Sequence, residues 1–368
     1  MKINLKNEQT PALKSNSGIA VIMALSVVLL IVTAALELHL NERNNMFNAA
    51  VMRDRTTLTE MTASGINLGM AMLIKDRLDS ESDSLQEDWA DQETIASLLA
   101  ELAFDEGKVE LKIIDELSKI QINALVEFPQ GQRIKEEQQQ LWIRFSTALL
   151  DVDEEQESEV DADPMTIINP IKDWLDSGDD DAITGLSGAE SDYYESLDPP
   201  YKCKNGPFDH LSEVRLVKGI TPELFNGFGG AAGLGAYITV YGAEKSGDQG
   251  FTFPGKININ TAELPVLAAL LPMESSGFAQ AMIDYREAMS GSQYTHNDLG
   301  DINWYKNVAG LSDENLNSAL ISVSSDIFRL TCTAKLNNVQ LTTTAVVQRE
   351  KASESEPWHC KVLNWKTE

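Results

Sequence analysis

Residues 19–36 read IAVIMALSVVLLIVTAAL, an apolar run without one charge, and they follow a polar leader that ends in Gly18. As a helix this run rises roughly 27 Å at about 1.5 Å per residue, close to the thickness of a bilayer core. Lys2, Lys6 and Lys14 against Glu8 make the leader slightly basic, which keeps it on the cytoplasmic side. A secretory signal cut on its C-terminal side would need a small-x-small site after the run, but the flank there reads LELHLNERNN. Helical spacing instead continues: Met46, Phe47, Ala50, Val51, Leu58, Met61, Ile66, Leu68, Met72 and Leu73 recur without a proline as far as Lys75. The spacing predicts one long helix that spans a membrane and then runs on as an amphipathic rod.

The chain beyond the helix is long enough for two packed units among its 368 residues. Hydrophobic residues make up 43% and aromatic residues 7%, an ordinary globular composition that argues against a disordered chain. Lys and Arg number 29 against 57 Asp and Glu, a net charge of -28. A field of that sign repels phosphate backbones and disfavours nonspecific nucleic-acid binding.

Residues 109–126, VELKIIDELSKIQINALV, alternate as two short strands about a turn near 116–119 and predict a hairpin. Residues 132–150 predict a helix with Leu141, Ile143, Phe145, Leu149 and Leu150 on its apolar face. The acidic run 151–163 is read as a solvated loop without chemistry. In 256–272, KININTAELPVLAALLP, Asn260 or Thr261 can cap a helix starting at Ala262, and a second helix follows over 278–289. The stretches FRLTCTAKL, QLTTTAVVQRE and WHCKVLNW predict three antiparallel strands, the first two joined by an Asn337-Asn338 turn. Helix, strands, helical block and strands in that order describe an α+β unit interrupted by an α-rich insertion.

A basic leader ending in glycine directly before an apolar helix resembles the processing site of type IV prepilins and type II secretion pseudopilins. The resemblance implies cleavage by a prepilin peptidase between Gly18 and Ile19, with methylation of the new N-terminus. Most members carry Glu at the fifth mature position, where this chain has Met23. Loss of that Glu together with a large extra domain is the pattern of minor pseudopilin K. Further motifs carry the same resemblance: Asp115, Glu116, Lys119, Ile120, Asn123 and Leu125 match the run I-D-E-x-x-K-I-x-I-N-A-L. Downstream, Asp173, Trp174 and Asp176 match D-W-x-D, followed by Gly188, Ala189, Glu190, Tyr193, Tyr194, Tyr201, Asn205, Pro207, Phe208, Glu213, Val217 and Gly219.

On this resemblance the expected organisation is a leader over 1–18, a transmembrane segment over 19–36, helix continuation and first strands over 37–126, an inserted α-rich domain over 127–320, and closing strands of the pseudopilin domain over 321–368. The implied role is a noncatalytic tip subunit of a periplasmic pseudopilus. It would be anchored in the bacterial inner membrane by a single pass and would join minor pseudopilins I and J and the assembly platform. The alternatives are a type IV pilus minor pilin and a membrane-anchored helix-hairpin-helix DNA-binding protein.

Asp176, Asp179, Asp181 and Glu190 surround Gly178, Gly185 and Gly188. These residues suit either a loop folded around a hard cation, since calcium takes six to eight oxygens in irregular loops, or a solvated acidic loop. The pseudopilin K resemblance implies calcium in the inserted domain. A catalytic reading of paired carboxylates lacks support: GxSxG, HExxH, Walker and GxGxxG motifs are all missing. The helix-hairpin-helix reading of 257–299 meets Leu271, Pro272, Met273 and Glu274 where such units carry glycines. Cys332 and Cys360 fall on predicted C-terminal strands that, if neighbours in the sheet, would let them bridge, and a disulfide between them is expected in an oxidising periplasm. Cys203 remains over.

Overall fold

The computed structural model describes residues 17–102, 104, 106–129, 131–151, 163–178, 183–247, 250–290, 295–351, 353 and 356–368. Helix α1, Ser17–Asp79, runs 63 residues without a break. Among the described residues it is the one helix long and apolar enough to cross a membrane, with mean hydropathy 3.0 over its most apolar window. Residues 18–50 are exposed throughout, and burial begins in the second half at Asp54, Leu58, Met61, Ile66 and Leu73.

That second half lies on a four-stranded antiparallel sheet of β1 (Lys108–Asp115), β2 (Ile327–Leu336), β3 (Val339–Glu350) and β4 (His359–Thr367), ordered as named. Two glycines set the approach of helix to sheet. A Cβ at Gly65 would stand 2.4 Å from Cys332 Sγ, and one at Gly69 would stand 2.5 Å from Leu330 Cδ2. Helix α2, Gln92–Glu101, closes one side with Ile95 and Leu99. The shared core holds Ile66, Leu73, Trp89, Leu111, Phe328, Leu330 and Val347. The alternation read from the sequence is the reason: along β2 nearly every second residue is buried. The turn is Asn337-Asn338, with Asn337 at φ 53, the left-handed conformation that Asn tolerates.

A second core, running from Ile120 to Ile321 in the chain, fills the insertion between β1 and β2. Its main helices are α3 (Glu136–Asp151), α4 (Met165–Leu175), α5 (Leu264–Leu270) and α6 (Ala279–Glu287). Leu141, Trp142 and Phe145 of α3 are buried, and α3 packs on α5. Two short parallel pairs tie the insertion together, Ile120–Gln121 with Ile238–Thr239 and Ile257–Asn258 with Ile321–Ser322. The chain enters and leaves the insertion at neighbouring points.

The expected hairpin over 109–126 does not form. Among the described residues β1 pairs only with β2, Glu116–Ser118 makes one 3-10 turn, and Ile120–Gln121 joins the insertion. Asp115 and Glu116 decide this, because both side chains are buried and bonded to groups far along the chain rather than turned outward. The insertion therefore begins at Ile120, ahead of the boundary expected at 127.

The disulfide expected between Cys332 and Cys360 is also absent, and both thiols are free. Cys332 lies on β2 opposite Thr343, Cys360 lies on β4 opposite Arg349, and β3 runs between them. Bridged cysteines need Cα atoms within about 7 Å, and strands one place removed from adjacency lie roughly 9–10 Å apart before any offset along the strand.

Candidate functional site

Three carboxylates converge where α4 ends. Asp173 sits in its last turn, Asp176 is its C-cap, and Glu190 precedes the short helix Ser191–Glu195. All three are buried, and their oxygens lie within 4.8 Å of one another. Asp173 is fully buried and accepts from Thr184 N at 3.1 Å and Ala189 N at 2.8 Å. Asp176 accepts from Lys172 Nζ at 2.5 Å and Gly178 N at 3.3 Å. Lys172 stands 3.8 Å from Asp173, at the edge of the cluster with 17% of its side chain exposed.

The wrapping loop needs its glycines. A Cβ at Gly188 would stand 2.2 Å from Asp173 Oδ2, and Gly185 has φ +60. Below the cluster Cys203 Sγ donates to Asp173 O at 3.4 Å, and the thiol is pushed up to about 12 by burial, with the charges of Glu190 and Asp173 adding to it. Two acids at the negative end of a helix dipole repel each other and the dipole, so a cation there is stabilising. Hard oxygen donors of this kind suit calcium or magnesium rather than a soft metal.

Of the expected ligands, Asp176 and Glu190 are brought together, while Asp179 and Asp181 lie outside the described residues. Asp173 was read as part of a motif but not as a ligand. The signal that finds it is its spacing, since residues three apart on a helix share a face.

A second carboxylate cluster joins the two cores. Asp76, at the end of α1, with Asp83 and Glu87 from the following loop, again brings oxygens within 4.8 Å. Arg349 of β3 lies fully buried inside it, 3.0 Å from Asp76 and 2.6 Å from Asp83, and its guanidinium also donates to Leu73 O and Ser325 O. Its face covers Phe328, with 4.7 Å from Cζ to the ring centre. Glu87 accepts from Ser84 N and Trp89 Nε1.

With one guanidinium among three acids, the Asp76 carboxyl is pushed up to about 8, first by burial and then by Glu87 and Asp83. Around this cluster Asn258 donates to Asp83 O and to Asp115, Thr261 donates to Asp115, and Arg329 holds Glu116 through two bonds. Burial lifts Asp115 to about 6, against the bonds that Ser325, Thr261 and Asn258 supply. Thr261 thus serves this junction, while Asn260 donates to Leu299 O and accepts from Trp304 Nε1 within the insertion; neither caps a helix, and α5 starts after Glu263.

At the N-terminal end Gly18 and Ile19 are exposed, and a Cβ at Gly18 would meet nothing within 4 Å. Between α5 and α6 the connection carries Pro272 and Glu274. Arg286 of α6, within the stretch read as a helix-hairpin-helix, is buried and donates to Ile259 O and Ala262 O. It serves the fold.

Two family models, both described as type II secretion system (T2SS), protein K, match residues 118–228 and 257–324. The type II secretion system protein K of Aeromonas hydrophila is 29% identical over 190 residues, covering 51% of this chain and 49% of that protein. Against it this chain aligns over about half the relative's length. The protein K of Klebsiella pneumoniae is 24% identical over 70% of this chain and 71% of its own, and that of Pseudomonas aeruginosa is 24% identical over 74% and 73%. Among solved structures, a chain from the GspK-GspI-GspJ complex of the enterotoxigenic Escherichia coli type 2 secretion system superposes with a TM-score of 0.61 at 18% identity. The superposition covers 87% of this chain and 99% of that one, and it shows a shared fold.

Proposed function

We infer that this chain belongs to the type II secretion protein K family and acts as the minor pseudopilin at the tip of the pseudopilus, starting assembly with minor pseudopilins I and J for protein export across the outer membrane. The observation that carries this reading is where the matches fall. Both protein K models lie on the helical insertion, within 118–228 and 257–324, so the support comes from the part that distinguishes a tip subunit and not from the generic membrane helix.

The rest of the role follows from the chain's own residues. α1 anchors the protein in the inner membrane by a single pass, with both cores on the periplasmic side. A prepilin peptidase cuts between Gly18 and Ile19, an exposed peptide without a neighbouring side chain to bar a narrow cleft, and the new N-terminus is methylated. Met23 in place of a carboxylate suits a subunit with nothing above it, because an unpartnered carboxylate is costly in hydrocarbon. Lateral packing in a filament would leave little room for the insertion, which also favours an end position. The protein works by binding rather than by catalysis.

Calcium is the ion we assign to Asp173, Asp176 and Glu190. The fit rests on the donor set: three buried carboxylates, oxygen donors only, on a loop whose backbone is already fixed by Thr184 and Ala189. Bound there, calcium would neutralise the three carboxylates and stiffen the loop, with Asp173, Asp176 and Glu190 holding it and Lys172 at the rim.

An in-frame deletion tests the role. Secreted enzymes should accumulate in the periplasm while pili persist, and the tagged protein should copurify with minor pseudopilins I and J. Lost pili with intact secretion would identify a type IV minor pilin instead, and a salt-dependent shift of labelled duplex would identify a DNA-binding protein.

A further inference from the structure

β4 is the last strand of the sheet, and among the described residues nothing pairs with its outer edge. It is nine residues long and contains no proline, a row of outward backbone donors and acceptors of the kind that invites strand pairing. Its two faces differ. Register with β3 places Cys360, Val362, Trp365 and Thr367 opposite Arg349, Val347, Ala345 and Thr343, whose face packs on α1, since Thr343 bonds Thr62 and Arg349 bonds Leu73 O. On that side Val362 and Trp365 remain 44% and 46% exposed.

The opposite face carries Lys361 and Lys366, opposite Gln348 and Thr344. Lys361 has no acidic partner among the described residues, while Lys366 pairs with the exposed Glu368, and His359 lies 3.5 Å from Glu350. Lys361 and the exposed Lys366 thus put two cationic side chains on this face, Lys361 without an acidic partner among the described residues, on a chain of net charge -28.

We propose that β4 is a docking edge for a β-strand of another protein in which apolar and acidic residues alternate. The backbone edge selects a strand. Val362 and Trp365 select apolar side chains on the α1 side, and Lys361 and Lys366 select carboxylates on the other. A second copy of this chain fits poorly, because pairing β4 with β4 sets lysines against lysines. This inference stands apart from the pseudopilin reading, since the recognition chemistry lies in the strand itself.

The test uses the full chain in detergent micelles and hydrogen exchange over 359–367, with two synthetic nonapeptides, one alternating Val with Glu and one alternating Val with Lys. The Val-Glu peptide should slow exchange in this segment by about tenfold, the Val-Lys peptide should not, and added salt should weaken the effect. In the double variant K361E/K366E the preference should reverse, with an unchanged melting temperature confirming that the sheet is intact. Should that variant melt early, Lys361→Gln with Lys366→Gln should still erase the difference between the peptides. Equal protection by both peptides, or none by either, overturns the proposal.

Discussion

Two triads of carboxylates, each with oxygens within 4.8 Å, are neutralised in different ways. In the junction, Arg349 arrives from a distant strand, is fully buried and touches two of the three acids directly. In the insertion, Lys172 comes from the same helix as its acids and stays partly exposed at the rim, while backbone amides hold Asp173. A cation built into the core stands where an exchangeable one would sit, and burial with Glu87 and Asp83 raises the Asp76 carboxyl so that a proton offsets part of the remaining charge. A cation kept at the rim is the arrangement that agrees with the calcium we assign to the cluster. The first triad is read as a structural clasp and the second as a ligand site.

The largest effect that can break this contrast is expected at the clasp. Arg349→Met should destabilise the protein by about 3–5 kcal/mol, because it strands buried carboxylates without their partner; urea unfolding of the full chain measures it. A loss below about 1 kcal/mol, the range of an exposed ion pair, would mean that the cluster is open to solvent or to an ion and resembles the other triad after all.

At the ligand site the effect depends on concentration. Calcium at about a hundred times its dissociation constant should add roughly 2.7 kcal/mol, seen as a higher melting temperature that EDTA reverses. Asp173→Asn should remove the response, because it takes one charge from the centre of the donor set, and Arg349→Met should leave the response in place. An unchanged melting curve with calcium and EDTA would count against the ligand assignment.

The proton in the clasp gives a smaller, graded signature. The native Asp76 carboxyl titrates near 8 against a usual 3.8, so between these values the folded chain holds a proton that the unfolded chain has released. Stability from this group is complete below the usual value and is lost as pH rises toward 8, with a slope no steeper than about 1.4 kcal/mol per pH unit. Asp76→Asn should flatten that slope and be the more stable form at pH 8, since the amide oxygen can still accept from Arg349 while its NH2 faces Glu87. A slope that survives the substitution would place the proton elsewhere.

The contrast also explains what could be read without coordinates. The helix expected to run from Ile19 past Lys75 is observed as Ser17–Asp79, and the three closing strands with their Asn337-Asn338 turn appear as expected. Both depend on local periodicity. Asp115 and Glu116 were visible as a motif but not as a junction, because their partners Asn258, Thr261, Thr239 and Arg329 lie far along the chain. Arg349 was hidden within a strand-like run for the same reason. The misplaced disulfide came from counting strands without their order, which put Cys332 and Cys360 on neighbours when β3 separates them. Asp173, by contrast, was within reach of helical spacing.

The smallest expected effect separates the triads most finely. Lys172 Nζ lies 2.5 Å from Asp176, so it occupies an oxygen that a bound ion would share. If it is only a rim competitor, Lys172→Met should raise calcium affinity roughly two- to fivefold, the equivalent of the about 0.5–1 kcal/mol that a partly exposed pair contributes, with little change in stability when calcium is present. If Lys172 is instead the resident cation, as Arg349 is in the clasp, the same substitution should lower stability by several kcal/mol without calcium and restore it with calcium. Calcium titration followed by calorimetry distinguishes the two outcomes, and the second would make the insertion's triad a clasp that an ion can replace rather than a site built for one.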